Sequence, residues 1–122
     1  MRRASRPCDP APWTLQHIAL ESDWQAAQSA GSYPVSTRGR TISEEGFMHC
    51  SGSPEQLKGV LGRFYADVTE PLLLLTIDEA SLAGHGLDVR YEPAVLGGDE
   101  LFPHVYGGDL PIGCVSQVDR LR

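Results

Sequence analysis

The run Phe47-Met48-His49-Cys50-Ser51 followed at once by Gly52-Ser53-Pro54-Glu55-Gln56-Leu57 sets a strand directly against the start of a helix. Phe47 to Ser51 has the apolar, alternating character of a strand, with Phe47 and His49 on one face. Ser53 has the short hydroxyl that caps a helix. Pro54 at the first helical position costs no hydrogen bond, and Gln56 is spaced to reach back as in a capping box. Leu57, Val60, Leu61, Phe64 and Tyr65 then recur at helical spacing, which predicts one apolar face.

Upstream, Thr14 to Leu20 reads as a strand, with Leu15, His17 and Ala19 sharing a face. A helix is predicted from Asp23, with Ser22 as cap, Gln25 completing a capping box and Gly31 as the stop. Tyr33 to Glu45 is polar and rich in turn formers, and reads as a loop with short extended pieces. Downstream, Leu72 to Ile77 follows Pro71 as an unbroken apolar run, the signature of a central strand buried on both faces. Asp88 to Glu92, Phe102 to Tyr106 and Ile112 to Val118 complete the strands, separated by Gly97-Gly98 and by Gly107-Gly108 with Pro111. The order is that of an α+β domain: two early helices, then mostly strands. Met1 to Pro12, with three prolines and three arginines, reads as a disordered tail, and residues 13–122 as one domain.

The net charge of -6 argues against a nucleic-acid footprint, which needs a basic stripe. Three cysteines, Cys8, Cys50 and Cys114, are an odd number without C-x-x-C spacing. They suggest neither a disulfide framework nor a four-cysteine zinc site, and a reducing cytoplasm is the expected compartment. No hydrophobic segment follows the first arginines, and Leu72 to Leu75 is too short for a bilayer, so no membrane association is expected. The expected partner is a small molecule.

Three of the four histidines, His17, His49 and His104, lie on predicted strands among large apolar residues. Alternation puts His104 on one face with Phe102 and Tyr106. Each ring could be a structural histidine bonded to backbone. Together, they fit a shared polar cleft between strands. His85, in Gly84-His85-Gly86, reads as an exposed turn residue. Arg90 and Glu92, two apart on one strand, are either a solvent-facing pair or a cationic clamp beside a hydroxyl-binding carboxylate. Cys50 faces away from His49 and reads as core. The wide spacing of the histidines gives no specific support to zinc, and no metal is expected. Gly-x-Ser-x-Gly, phosphate-loop and dinucleotide glycine motifs do not occur.

The segments His17-Ile18 with Asp23-Trp24, Glu45-Gly46-Phe47-Met48-His49-Cys50-Ser51, Arg63-Phe64-Tyr65, Arg90-Tyr91-Glu92 and Leu101-Phe102-Pro103-His104-Val105-Tyr106-Gly107 resemble the bacterial family catalogued as domain of unknown function 952. The resemblance runs from about Trp13 to the carboxyl terminus. That family has no established activity, and its fold is similar to that of the ADP-ribosyltransferases, which bind NAD in a cleft between two small, mostly antiparallel sheets. The resemblance implies NAD or a related nucleotide as ligand, with His17 at the ribose. It implies His17, His49, His104 and Glu92 as catalytic candidates, with Glu100 the alternative carboxylate. Arg90, Tyr106 and Ser51 are then ligand contacts. The implied activity is ADP-ribosyltransferase-like or NAD glycohydrolase-like. The alternative is a non-catalytic ligand-sensing or protein-interaction module with structural histidines.

Overall fold

A computed structural model describes residues 14–94 and 98–122. The tail assigned to 1–12, the domain start at Trp13, Cys8 and Gly97 lie outside the described residues. The chain folds around β6 (Leu72–Asp78), the run of leucines after Pro71. It sits between β1 (Thr14–Leu20) and β10 (Val115–Arg120), antiparallel to both. Leu72, Leu75 and Ile77 are fully buried, and burying such a side chain stabilises the fold by about 1.5–3 kcal/mol each. Both faces are covered at the start of the strand, where Leu72 and Leu73 are buried in succession. Further along, Thr76 and Asp78 are only half-buried and ordinary alternation returns.

A second three-stranded antiparallel sheet carries β8 (Leu101–Tyr106) between β5 (Met48–His49) and β7 (Asp88–Pro93). Two short antiparallel ladders complete the topology: β2 (Ser32–Tyr33) with β9 (Leu110–Pro111), and β3 (Val35–Thr37) with β4 (Arg40–Thr41). The mixed α and β character with small antiparallel sheets agrees with the sequence reading.

Four helices are described, not two early ones. α1 (Glu21–Ala30) starts two residues before the predicted Asp23, with no side-chain cap from its own Leu20. Ser22 is not the cap. Its N–H and hydroxyl both donate to Glu70, at 3.1 and 2.8 Å, so a carboxylate from a distant loop serves the helix start. Gly31 ends the helix in the left-handed conformation, as predicted. α2 (Ile42–Glu45) lies in what reads as loop. It rests on a capping box in which Thr41 accepts from the Glu44 N–H and the Glu44 carboxylate accepts from the Thr41 N–H.

α3 (Pro54–Phe64) begins as predicted, with Ser53 accepting from the Gln56 N–H at 3.1 Å. The Gln56 side chain reaches one residue further back, accepting from the Gly52 N–H and donating to the Leu101 carbonyl. Leu57, Val60 and Leu61 pack against Ile18, Tyr65 and Leu72, but Phe64 turns outward. α4 (Glu79–Gly84), capped by Asp78, is a short helix that the sequence reading does not include. A single 3₁₀ turn over Ile112–Cys114 precedes β10, so the strand predicted from Ile112 starts three residues later. Among the described residues no helix is long and apolar enough to cross a membrane.

Candidate functional site

The register of the second sheet assembles most of the predicted site. His49 pairs with His104, and His104 pairs with Arg90 on its other side, so the three stand in a row across the sheet. Paired residues share a face and residues two apart share it as well. Phe47, Phe102, Tyr106, Asp88 and Glu92 therefore join the row. Met48, Val105 and Val89 point the other way, into the main core.

On this face Phe47 stacks on His104, with ring centroids 4.3 Å apart and planes at 26°, and it also meets His49 and Tyr106. His104 is buried. Its Nδ1 lies 2.9 Å from Glu92 Oε1, and because a carboxylate accepts, Nδ1 carries the hydrogen. The Tyr106 hydroxyl donates to the same oxygen at 2.5 Å. These two hydrogen bonds, Tyr106 first, hold the Glu92 carboxyl below its ordinary range, and the same bond raises Tyr106. Arg90 does not pair with Glu92. It reaches Asp88 at 3.0 Å and lays its guanidinium over the Tyr106 ring at 4.2 Å, more than half exposed.

His17 belongs to the other sheet and ties the two together. Its Nδ1 donates to the His49 carbonyl at 2.6 Å, which fixes the tautomer, and its Nε2 accepts from the Tyr33 hydroxyl at 2.9 Å. Next to it, Gln16 and Ser51 exchange backbone hydrogen bonds at 2.9 and 2.7 Å. Burial lowers His17 to about 4, against a smaller rise from the bond to the His49 carbonyl, so it is neutral at pH 7. Neither ring nitrogen is left for a ligand or a metal. Among the described residues no three His, Cys, Asp or Glu side chains gather as a metal site requires.

A cleft of about 560 Å³ opens where the sheets meet, within the size range of small-molecule sites. Its walls come from Gln16 and Ile18 on β1, from His49 and Ser51, from Val60 and Phe64 on α3, and from Phe102 and Glu100. His17 and His49 both line this cleft, but His17 is buried and its nitrogens are taken, so only His49 presents a partly exposed ring, with 31% of its side chain accessible. Burial and then His104 lower its pKa, and Glu45, whose Oε1 lies 3.5 Å from Nε2, works in the opposite sense. His104, Glu92, Tyr106 and Arg90 lie behind His49 and are not among the residues lining the cleft. Of the two candidate carboxylates, Glu100 lines it. Ser51 is buried at its wall, and Cys50 is core, with burial pushing its thiol up.

Sequence reasoning missed Glu45, Arg63 and Phe64 as site residues. For Glu45 the signal was present, since it precedes His49 by four residues on a helix end. The helical spacing places Phe64 on the buried face, and the structure turns it out to the cleft.

Comparison with curated proteins gives no match. Among solved structures the chain is similar to the crystal structure of protein CC0527 from Caulobacter crescentus, with TM-score 0.70 and 26% identity over 89% of this chain and 86% of that one. The solution NMR structure of CC0527 gives 0.66 and 23% over 88% and 84%, a likeness of fold. These matches bring no link to the ADP-ribosyltransferases. Residues 18–118, from the first strand of the central sheet to the last, match the family described as "Protein of unknown function (DUF952)", and the chain belongs to that family.

Proposed function

We propose that the cleft binds a nucleotide-like or phosphorylated small molecule and that His49 exchanges a proton with it. The observation that carries this reading is the position of His49: a partly exposed imidazole at the cleft wall, beside a carboxylate, with its pKa lowered by burial. A neutral imidazole accepts a proton, and Glu45 stabilises the cation that results. Behind it, Phe47 and the Glu92-bound His104 hold the ring in place. In an ADP-ribosyltransferase-like or NAD glycohydrolase-like version, Glu100 is the carboxylate available for a ribose hydroxyl, because Glu92 is committed to His104 and Tyr106.

The test is an NMR titration of the histidine ring signals with NAD and with AMP, together with chromatographic detection of nicotinamide. His49 should show the larger shift and a raised ring pKa, and His49→Gln should abolish ligand-dependent changes in neighbouring signals while the protein stays folded. No His49 shift at millimolar concentration of either nucleotide sinks the reading, and absence of nicotinamide sinks its NAD-cleaving version.

A second reading has its own support. The closed hydrogen bonding of His17 and the burial of His104 fit a non-catalytic module whose histidines order the core. It predicts that His49→Ala loses stability without any ligand defect.

A further inference from the structure

Among the described residues, one guanidinium lining the cleft makes no ion pair. Arg38 and Arg63 both line the walls. Arg38 is tied to Asp67, at 2.5 and 3.3 Å, and to the Phe64 carbonyl at 2.9 Å. Arg63 is exposed and makes no ion pair or hydrogen bond among the described residues. An arginine in the last turn of a helix ordinarily serves the terminal carbonyls and the negative end of the dipole. Here that work is done by others: Arg38 donates to the Phe64 carbonyl, and Arg122 donates to the carbonyls of Tyr65 and Val68.

The side chain of Arg63 leans back toward the helix start, as helical side chains do, and lies over Gly59. A Cβ at position 59 would stand 3.1 and 3.3 Å from its two terminal nitrogens. A glycine inside a helix is less favourable than an alanine, and this one leaves the space that the guanidinium occupies. Phe64 follows immediately, 54% exposed and also on the cleft wall, with the Arg63 Cζ 5.9 Å from its ring centroid. A bare aromatic ring beside an unpaired guanidinium is suited to a flat ring carrying an anionic group. Asp99 and Glu100 also line the cleft, and two carboxylates there oppose a second negative group on the ligand.

We infer that the cleft takes a flat-ringed monophosphate, with the phosphate on Arg63 and the ring against Phe64. This rests on the reading of the cleft as a ligand site and narrows it to one phosphate rather than a pyrophosphate. The probes are adenosine, AMP, ADP and phenyl phosphate, measured by chemical-shift titration at low salt. AMP should bind about tenfold more tightly than adenosine, the size expected of a charge-assisted hydrogen bond. ADP should bind no more tightly than AMP. Arg63→Gln, at an exposed position, should bring AMP down to the affinity of adenosine and leave adenosine unchanged. Arg63→Lys should restore part of the difference.

Equal binding of AMP and adenosine by the native protein would overturn the inference. So would an AMP advantage that survives Arg63→Gln, or tighter binding of ADP. If AMP moves the His49 signals but Arg63→Gln changes nothing, the inference falls and the cleft reading stands. If neither AMP nor phenyl phosphate moves any cleft signal the inference falls, and if NAD moves none either the cleft reading falls with it.

Discussion

Replacing His17 by glutamine removes a titration that the fold suppresses. In the native protein His17 is buried, and its pKa is lowered from the ordinary histidine value to about 4. In the unfolded chain it returns to about 6.5. Between these values the unfolded chain binds a proton that the folded protein refuses, so stability rises with pH across the window and falls as the solution is acidified. The neutral, doubly hydrogen-bonded ring contributes fully above pH 6.5, and the contribution is lost as pH falls toward 4. Two and a half pH units at about 1.4 kcal/mol each make the loss about 3 kcal/mol. The assay is urea unfolding at a series of pH values from 7.5 to 4. His17→Gln should be less stable at neutral pH, because the His49 carbonyl and Tyr33 hydroxyl lose their partner. Its stability should fall less steeply, and the two curves should approach by about 3 kcal/mol at the acid end. Parallel curves would refute the reasoning, as would a His17 ring signal that titrates near pH 6.5.

Tyr33→Phe leaves the His17 Nε2 without its donor inside the core and should cost about 1–2 kcal/mol by urea unfolding. Gly107→Ala should cost about 2–4 kcal/mol in the same measurement. Gly107 has φ near +122°, and an added Cβ would come within 2.8 Å of Leu87 Cδ2. Ser53→Ala removes the cap of α3 and should lower stability by about 1 kcal/mol, with faster hydrogen exchange at the Gln56 amide.

The strands were legible because their alternation is local. Phe47 with His49, and Phe102 with His104 and Tyr106, are placed on one face by period two alone. The start of α3 was legible because serine and proline mark it chemically. What lay beyond the sequence depended on distant partners. The start of α1 is set by Glu70 rather than by Ser22, and no local motif carries that information. α2 has its capping box in plain view at Thr41 and Glu44, but its four residues are too few to show a period.

The same division holds at the site. Three histidines among apolar residues were visible as a group, whereas their separation into a fastener, a support and a cleft residue follows from register across two sheets. Arg90 reads in the sequence as half of a salt-bridged pair with Glu92 or as a clamp, and Arg63 carries no functional signal of its own. Only the placement of Asp88, Arg38 and Arg122 shows that Arg90 is paired elsewhere and that the carbonyls at the end of α3 are served without Arg63.

The bond from His17 to the backbone of His49 bears on how a mutational screen of this chain should be interpreted. His49 stands on a strand of two residues, and its carbonyl is held from the neighbouring sheet. Substitutions at position 17, or at Tyr33 behind it, would displace the cleft imidazole by releasing that backbone bond. A screen scored by function alone would place all three residues in one class. Scored jointly with protein abundance, positions 17 and 33 should lose both properties together, and position 49 should lose function while the protein persists.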